Sequence, residues 1–224
     1  MKKEVSSDYK KLTERLAEVK LVPVYTARPE ADTAAVCRAL ADAGLPAIEI
    51  TLRTPEAVEA IAAAVAARSA GLLGSGFIIL AGTVLDASAA ERALLAGADG
   101  IVSPGFDDGV VSLCIERGVP CFPGVATATE LTRAVNAGLD TVKFFPAEAS
   151  GGIKTIKALS GPFPGVRFMP TGGISLSNIK DYLALPQVVC CGGSFMFPKG
   201  GCEPSEISEK AGEAFRIISE SGVR

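Results

Sequence analysis

Short apolar runs alternate along this chain with longer Ala- and Leu-rich stretches whose apolar positions recur at helical spacing. The runs read as strands at 21–25 (LVPVY), 46–51 (PAIEIT), 77–81 (FIILA), 100–102 (GIV), 119–122 (VPCF), 139–143 (LDTVK), 166–169 (VRFM) and 188–192 (VVCCG). The stretches between and after them read as helices at about 31–43, 55–68, 86–96, 107–117, 127–137, 153–159, 176–184 and 205–220. A further helix, 8–19, precedes the first strand. Gly44, Gly97, Gly118 and Gly138 each follow a helix, where a left-handed C-cap is expected. Thr54-Pro55-Glu56 predicts an N-cap at Thr54 with Pro55 in the first helical turn.

Eight strands, each followed by a helix, predict parallel units that close into a (β/α)8 TIM barrel with an additional N-terminal helix, a single domain over 1–224. An open doubly wound sheet is the competing architecture. It usually carries a glycine-rich phosphate loop after its first strand, and that position here reads Thr26-Ala27-Arg28-Pro29. Gly74-Ser75-Gly76 lacks the correctly placed third glycine of a dinucleotide fingerprint. In a barrel, active sites form at the C-terminal ends of the strands.

The 224 residues are 48% hydrophobic, enough for one sizeable core, and the net charge is -3 from 22 basic and 25 acidic residues. No basic run is long enough to track a nucleic-acid backbone. The opening residues lack the apolar segment of a secretory signal, and no uncharged apolar stretch reaches the ~18 residues of a membrane span, so a cytoplasmic location is expected. Six cysteines, at 37, 114, 121, 190, 191 and 202, form no C-x-x-C pair and read as reduced, structural side chains. Histidine is absent, which excludes a His-ligated zinc site, a Ser-His-Asp triad and a Cys-His dyad. No metal and no cofactor is expected, and acid–base work falls to Glu, Asp, Lys, Tyr, Cys or water.

Four groups of residues carry candidate chemistry. In Thr141-Val142-Lys143-Phe144-Phe145, alternation puts Thr141, Lys143 and Phe145 on one face and Val142 and Phe144 on the other. Lys143 then points into the barrel mouth, where desolvation favours the neutral, nucleophilic amine. A strand-end lysine that snorkels to solvent fits the local pattern equally well. In Ile48-Glu49-Ile50-Thr51-Leu52-Arg53, the face opposite the aliphatic residues carries Glu49, Thr51 and Arg53. Glu49 is a candidate general base and Arg53 a bidentate carboxylate clamp, or the two form a structural ion pair. The turns Thr171-Gly172-Gly173 and Gly192-Gly193-Ser194 follow the seventh and eighth strands, where barrels often cradle phosphate on backbone N–H groups. Thr83, in Ala81-Gly82-Thr83, and Pro104, in Ser103-Pro104-Gly105, lie on the third and fourth loops, where ordinary turn chemistry is also sufficient.

The ordered motifs EITLRT (49–54), AGTVL (81–85), VSPG (102–105), PGVATATE (123–130), VKFFPAE (142–148), GPFPGVRFMPTGGIS (161–175) and GGS (192–194) resemble the 2-keto-3-deoxy-6-phosphogluconate/4-hydroxy-2-oxoglutarate (KDPG/KHG) aldolases. The resemblance spans residues 20–198; Leu80 stands where the family usually has a glycine. It implies a homotrimeric barrel that cleaves a 2-keto-4-hydroxy acid to pyruvate and an aldehyde, without metal or cofactor. It implies Lys143 as the Schiff-base lysine and Glu49 as the acid–base residue. Arg53 and Thr83 would hold the pyruvyl carboxylate, with Phe145 and Pro104 beside it. Gly172, Gly173 and Ser194 would contact the phosphate of a phosphorylated substrate, and Thr171 and Gly193 would also bind substrate. A phosphogalactonate-specific aldolase, or another phosphate-binding barrel enzyme, would share much of this pattern. The complete Glu, Arg, Thr and Lys set argues against a non-catalytic sensing barrel.

Overall fold

The structure, a computed structural model, describes residues 6–29, 31–197 and 203–220. Among these, α1 (Ser7–Val19) leads into β1 (Leu21–Tyr25), followed by α2 (Thr33–Asp42), β2 (Ala47–Thr51), α3 (Ala57–Ser69), β3 (Ile78–Gly82), α4 (Ala87–Leu95) and β4 (Gly100–Val102). The second half contains α5 (Asp108–Arg117), β5 (Cys121–Phe122), β6 (Gly124–Val125), α6 (Ala128–Asn136), β7 (Thr141–Phe144), α7 (Gly152–Ser160), β8 (Arg167–Pro170), α8 (Ile179–Leu183), β9 (Cys191–Gly193) and α9 (Pro204–Glu220).

This is an α/β fold with a curled parallel sheet. Six strands run in the order β5-β4-β3-β2-β1-β9, and three more in the order β6-β7-β8. The predicted uninterrupted ring of eight strands therefore appears as two sheets. The break falls at Pro123, which has no N–H to give a ladder. Before it, β5 pairs with β4, and after it, β6 pairs with β7. Isolated parallel bridges, Phe168 with Val188 and Thr171 with Gly192, connect the β8 side to the segment around β9.

Nearly every strand residue is buried, because helices cover the outer face and side chains fill the inner one. Outward-facing Phe144 and Phe168 meet edge to face, with centroids 6.3 Å apart. The helix α1 lies across the N-terminal ends of the strands. Its Leu12 occupies the space beside Gly100, the first residue of β4, where a Cβ would sit 3.0 Å from Leu12 Cδ2. Its Tyr9 stacks on Phe122 with centroids 5.6 Å apart. The Tyr9 hydroxyl accepts from the Thr141 N–H and donates to the Thr141 carbonyl, both at 2.9 Å. Burial, then the nearby Asp140 charge, pushes this phenol well above its ordinary value, so it remains a neutral donor and acceptor. One end of the curled sheet is thus filled, and the C-terminal ends of the strands are left to form a site.

Local sequence sets the helix ends. Asp32, Asp86 and Asp107 accept from backbone N–H groups three residues on, and Thr127 with Glu130 makes a reciprocal capping box. Gly44, Gly97, Gly118 and Gly138 all take positive φ, as expected. Thr54 does not cap α3; its hydroxyl donates to the Ala27 carbonyl at 3.1 Å and pins the loop after β1 instead. The helix α8 begins later than predicted because the Asn178 side chain accepts from Ser175 N–H and donates to Gly173 O, both at 2.9 Å, holding the preceding turn. The five described cysteines are buried and unbridged, and Cys202 lies outside the described residues. Among the described residues no helix is long and apolar enough to cross a membrane.

Candidate active site

The site begins with two strands from different sheets. Lys143 on β7 and Glu49 on β2 are 94 residues apart in sequence, yet Lys143 Nζ donates to Glu49 Oε1 at 3.0 Å. Their side chains are 6% and 2% exposed. A lysine that snorkelled to solvent would not be this buried, so the carboxylate supplies the partner that a buried ammonium requires. The pair also settles the second ambiguity: Glu49 turns to Lys143 rather than to Arg53. Space for the carboxylate comes from Gly82 at the end of β3. A Cβ there would stand 2.6 Å from Glu49 Cγ and closer still to Oε1. The buried Cys190 thiol is pushed up by desolvation first and then by the nearby Glu49 charge.

Toward the mouth, Arg53 Nε donates to Thr83 Oγ1 at 3.3 Å. Thr83 has φ 56°, a left-handed conformation that is costly for a β-branched residue. It follows Leu80, which is fully buried and paired in register with Glu49, so the altered third strand still delivers Gly82 and Thr83 to the site. Pro104 lies against Gly124, whose missing side chain leaves room for the Pro104 carbonyl. Phe145 places its ring centroid 5.3 Å from Lys143 Nζ, on the face that the alternation predicts.

Phe145 and Arg53 also line a cavity of about 110 Å³ together with Thr171, Gly172, Gly173, Ile174, Gly192, Gly193 and Ser194. Gly172 and Gly173 have φ of 98° and 81°, which L side chains rarely adopt. A Cβ on Gly173 would meet Glu148 Cβ at 2.6 Å, and one on Gly192 would meet Thr171 Cγ2 at 3.0 Å. Tight backbone turns therefore form part of the wall of the cavity that Arg53 also lines. Glu148 is held behind them by a hydrogen bond from Tyr182, whose phenol is raised by burial and by that carboxylate.

The structure brings all the sequence-identified side chains to one end of the curled sheet. It adds Ile174, beside the glycine turn, and two side chains further off in sequence, all passed over by sequence reasoning. Val24 and Thr26 of the first strand and its following loop line the same cavity. Period two would have placed both inward beside Glu49 and Thr51, and the register pairs Val24 with Glu49. Thr26 attracted notice only as part of a loop without glycine.

Compared with known proteins, the chain falls among the aldolases, which are carbon–carbon lyases. It belongs to the KDPG and KHG aldolase family, which it matches over residues 12–210. It is 44% identical over 196 residues to the 2-dehydro-3-deoxy-phosphogluconate aldolase of Treponema pallidum (strain Nichols), covering 88% of this chain and 90% of that relative. Its fold is similar to the 2-keto-3-deoxy-6-phosphogluconate aldolase of Zymomonas mobilis ZM4 solved with 3-phosphoglycerate (TM-score 0.83, 35% identity, 96% of this chain and 95% of that one). It is also similar to the KDPG aldolase of Legionella pneumophila with pyruvate captured as a covalent carbinolamine (TM-score 0.79, 32% identity, 93% and 96%).

Proposed function

We propose that this chain is a class I aldolase that cleaves 2-dehydro-3-deoxy-6-phosphogluconate to pyruvate and glyceraldehyde 3-phosphate through a Schiff base on Lys143. The same chemistry would cleave 4-hydroxy-2-oxoglutarate to pyruvate and glyoxylate. The observation that carries the reading is the buried 3.0 Å contact between Lys143 Nζ and Glu49 Oε1. Transfer of the lysine proton to Glu49 frees the lone pair, and Nζ attacks the C2 ketone. Glu49 returns the proton to the former carbonyl oxygen, giving a carbinolamine, and then assists loss of that oxygen as water. The resulting iminium is an electron sink. Glu49, again a carboxylate, takes the C4 hydroxyl proton as the C3–C4 bond breaks, which releases the aldehyde, leaves an enamine on Lys143 and provides the proton for C3. Protonation at C3 and hydrolysis return pyruvate and the free amine.

In this reading Arg53 and Thr83 hold the pyruvyl carboxylate, and Phe145 and Pro104 pack beside the pyruvyl unit. The glycine turns at 172–173 and 192–193, with Thr171 and Ser194, take the phosphate, which the complex of the Zymomonas relative with 3-phosphoglycerate supports. The covalent carbinolamine of the Legionella relative supports the lysine step. The reading includes one closed (β/α)8 domain over 1–224, supported by the Lys143–Glu49 contact between the two sheets and by the bridge from Thr171 to Gly192. It also includes a homotrimer, as the family resemblance implies, and a cytoplasmic location, in keeping with the bacterial aldolases it resembles.

The test is incubation with pyruvate and borohydride, followed by mass mapping. A reduced pyruvyl adduct on Lys143 is expected, and its absence overturns the mechanism. Glu49→Gln should slow proton exchange at the pyruvate methyl group by about 100-fold or more, the usual scale of a positioned acid–base group. Retained exchange would remove Glu49 from that role.

A further inference from the structure

A hydroxyl that no step above uses lies on the cavity wall. Thr26 follows β1 and lines the same cavity as Arg53 and the glycine turns. Its Oγ1 is 2.9 Å from Thr51 Oγ1. Thr51 has a single hydroxyl proton and gives it to the Tyr25 carbonyl at 3.1 Å. With that proton on the Tyr25 carbonyl, Thr51 accepts at the shared contact and Thr26 donates. With its proton committed, Thr26 presents lone pairs toward the cavity. It is polarised as an acceptor, and the partner it suits is a hydroxyl donor rather than a carboxylate or phosphate oxygen.

Depth selects which hydroxyl. Val24 pairs with Glu49 in register, so Thr26 sits beside Thr51, one inward-facing layer above the catalytic carboxylate. Two residues along a strand span about 6–7 Å. In an extended sugar acid whose C2 is bound to Lys143, C5 lies about 4 Å from C2, and its hydroxyl oxygen reaches further. C4 lies only about 2.5 Å from C2, so its hydroxyl falls further short of that layer. We propose that Thr26 is a specificity-determining residue that accepts a hydrogen bond from the C5 hydroxyl of the substrate. This hydroxyl is the 2-hydroxyl of the aldehyde in the condensation direction. The proposal rests on the Lys143 reading above, which fixes C2.

The experiment measures condensation of pyruvate with D-glyceraldehyde 3-phosphate and with 3-oxopropyl phosphate, which lacks the 2-hydroxyl. Thr26→Val keeps the side-chain shape and should lower kcat/KM for the first aldehyde by about tenfold, the scale of one net hydrogen bond. It should leave the second within about twofold, and Thr26→Ser should behave as wild type with both. Borohydride adduct formation and pyruvate methyl exchange should be unchanged in Thr26→Val. Equal losses with both aldehydes, no loss with either, or loss of methyl exchange in both Thr26 variants would overturn the assignment. If the wild-type protein forms no adduct on Lys143, the aldolase reading itself fails, and this proposal falls with it.

Discussion

Gly82→Ala is the sharpest test of how Glu49 is positioned. The added methyl would stand 2.6 Å from Glu49 Cγ and 2.7 Å from Cδ. Ordinary contact between such atoms is about 3.5 Å, so the carboxylate must withdraw by roughly 1 Å. It cannot swing into solvent, because the residue is only 2% exposed and is enclosed by neighbouring strands. A displacement of that size opens the 3.0 Å contact to Lys143 Nζ beyond hydrogen-bond reach. Misplacement of a catalytic group by about 1 Å can cost on the order of 100-fold in rate. The expected result is a fall in kcat and in methyl-proton exchange of about 100-fold, while KM stays within a few-fold, because Arg53 and the glycine turns are untouched. The decisive comparison is a double-mutant cycle. If Gly82 acts only by admitting Glu49, Gly82→Ala adds no further loss in a Glu49→Gln background. Multiplicative losses, or a single variant with kcat within twofold of wild type, would refute the reasoning.

Two further outcomes follow from other parts of the molecule. Burial alone would raise the Glu130 carboxyl, but hydrogen bonds from Ala126 N–H and the Thr127 hydroxyl and N–H, together with the Arg133 charge, hold it below the ordinary value. Its stabilising effect is therefore present above the unfolded-chain carboxyl pKa of about 4.3 and lost as pH falls through the lower folded value. Glu130→Ala should destabilise the protein by about 1 kcal/mol at pH 7 in urea unfolding, with the difference shrinking below about pH 4; a pH-independent difference would contradict this. Equilibrium sedimentation should give a mass three times the 22.9 kDa chain, and a monomeric mass would remove the trimer from the proposed function.

The inner faces of β2 and β7 were legible because alternation is a local property. Glu49, Lys143 and Phe145 fall where period two puts them. What the strands alone left open was resolved only by a contact spanning 94 residues, since a buried lysine and a snorkelling one share the same local sequence. The discontinuity at Pro123 lay inside a run that reads as a strand leading into a loop, and the pairing partner changes across it. Thr54 carried a valid N-cap signature, but a distant carbonyl at Ala27 took its hydroxyl. Thr26 was hidden for a related reason. Its meaning depends on the direction of a proton in Thr51, which is set by a carbonyl on the neighbouring strand.

The two hydrogen bonds between Tyr9 and Thr141 cross 132 residues of sequence. A ribosome releases Tyr9 first, long before the strand that receives it exists. The helix that carries Tyr9 must therefore wait for 132 further residues to emerge before its aromatic ring can settle against both Phe122 and Thr141. The floor that Tyr9 helps to close is thus completed only once β7, the strand that carries Lys143, has been made.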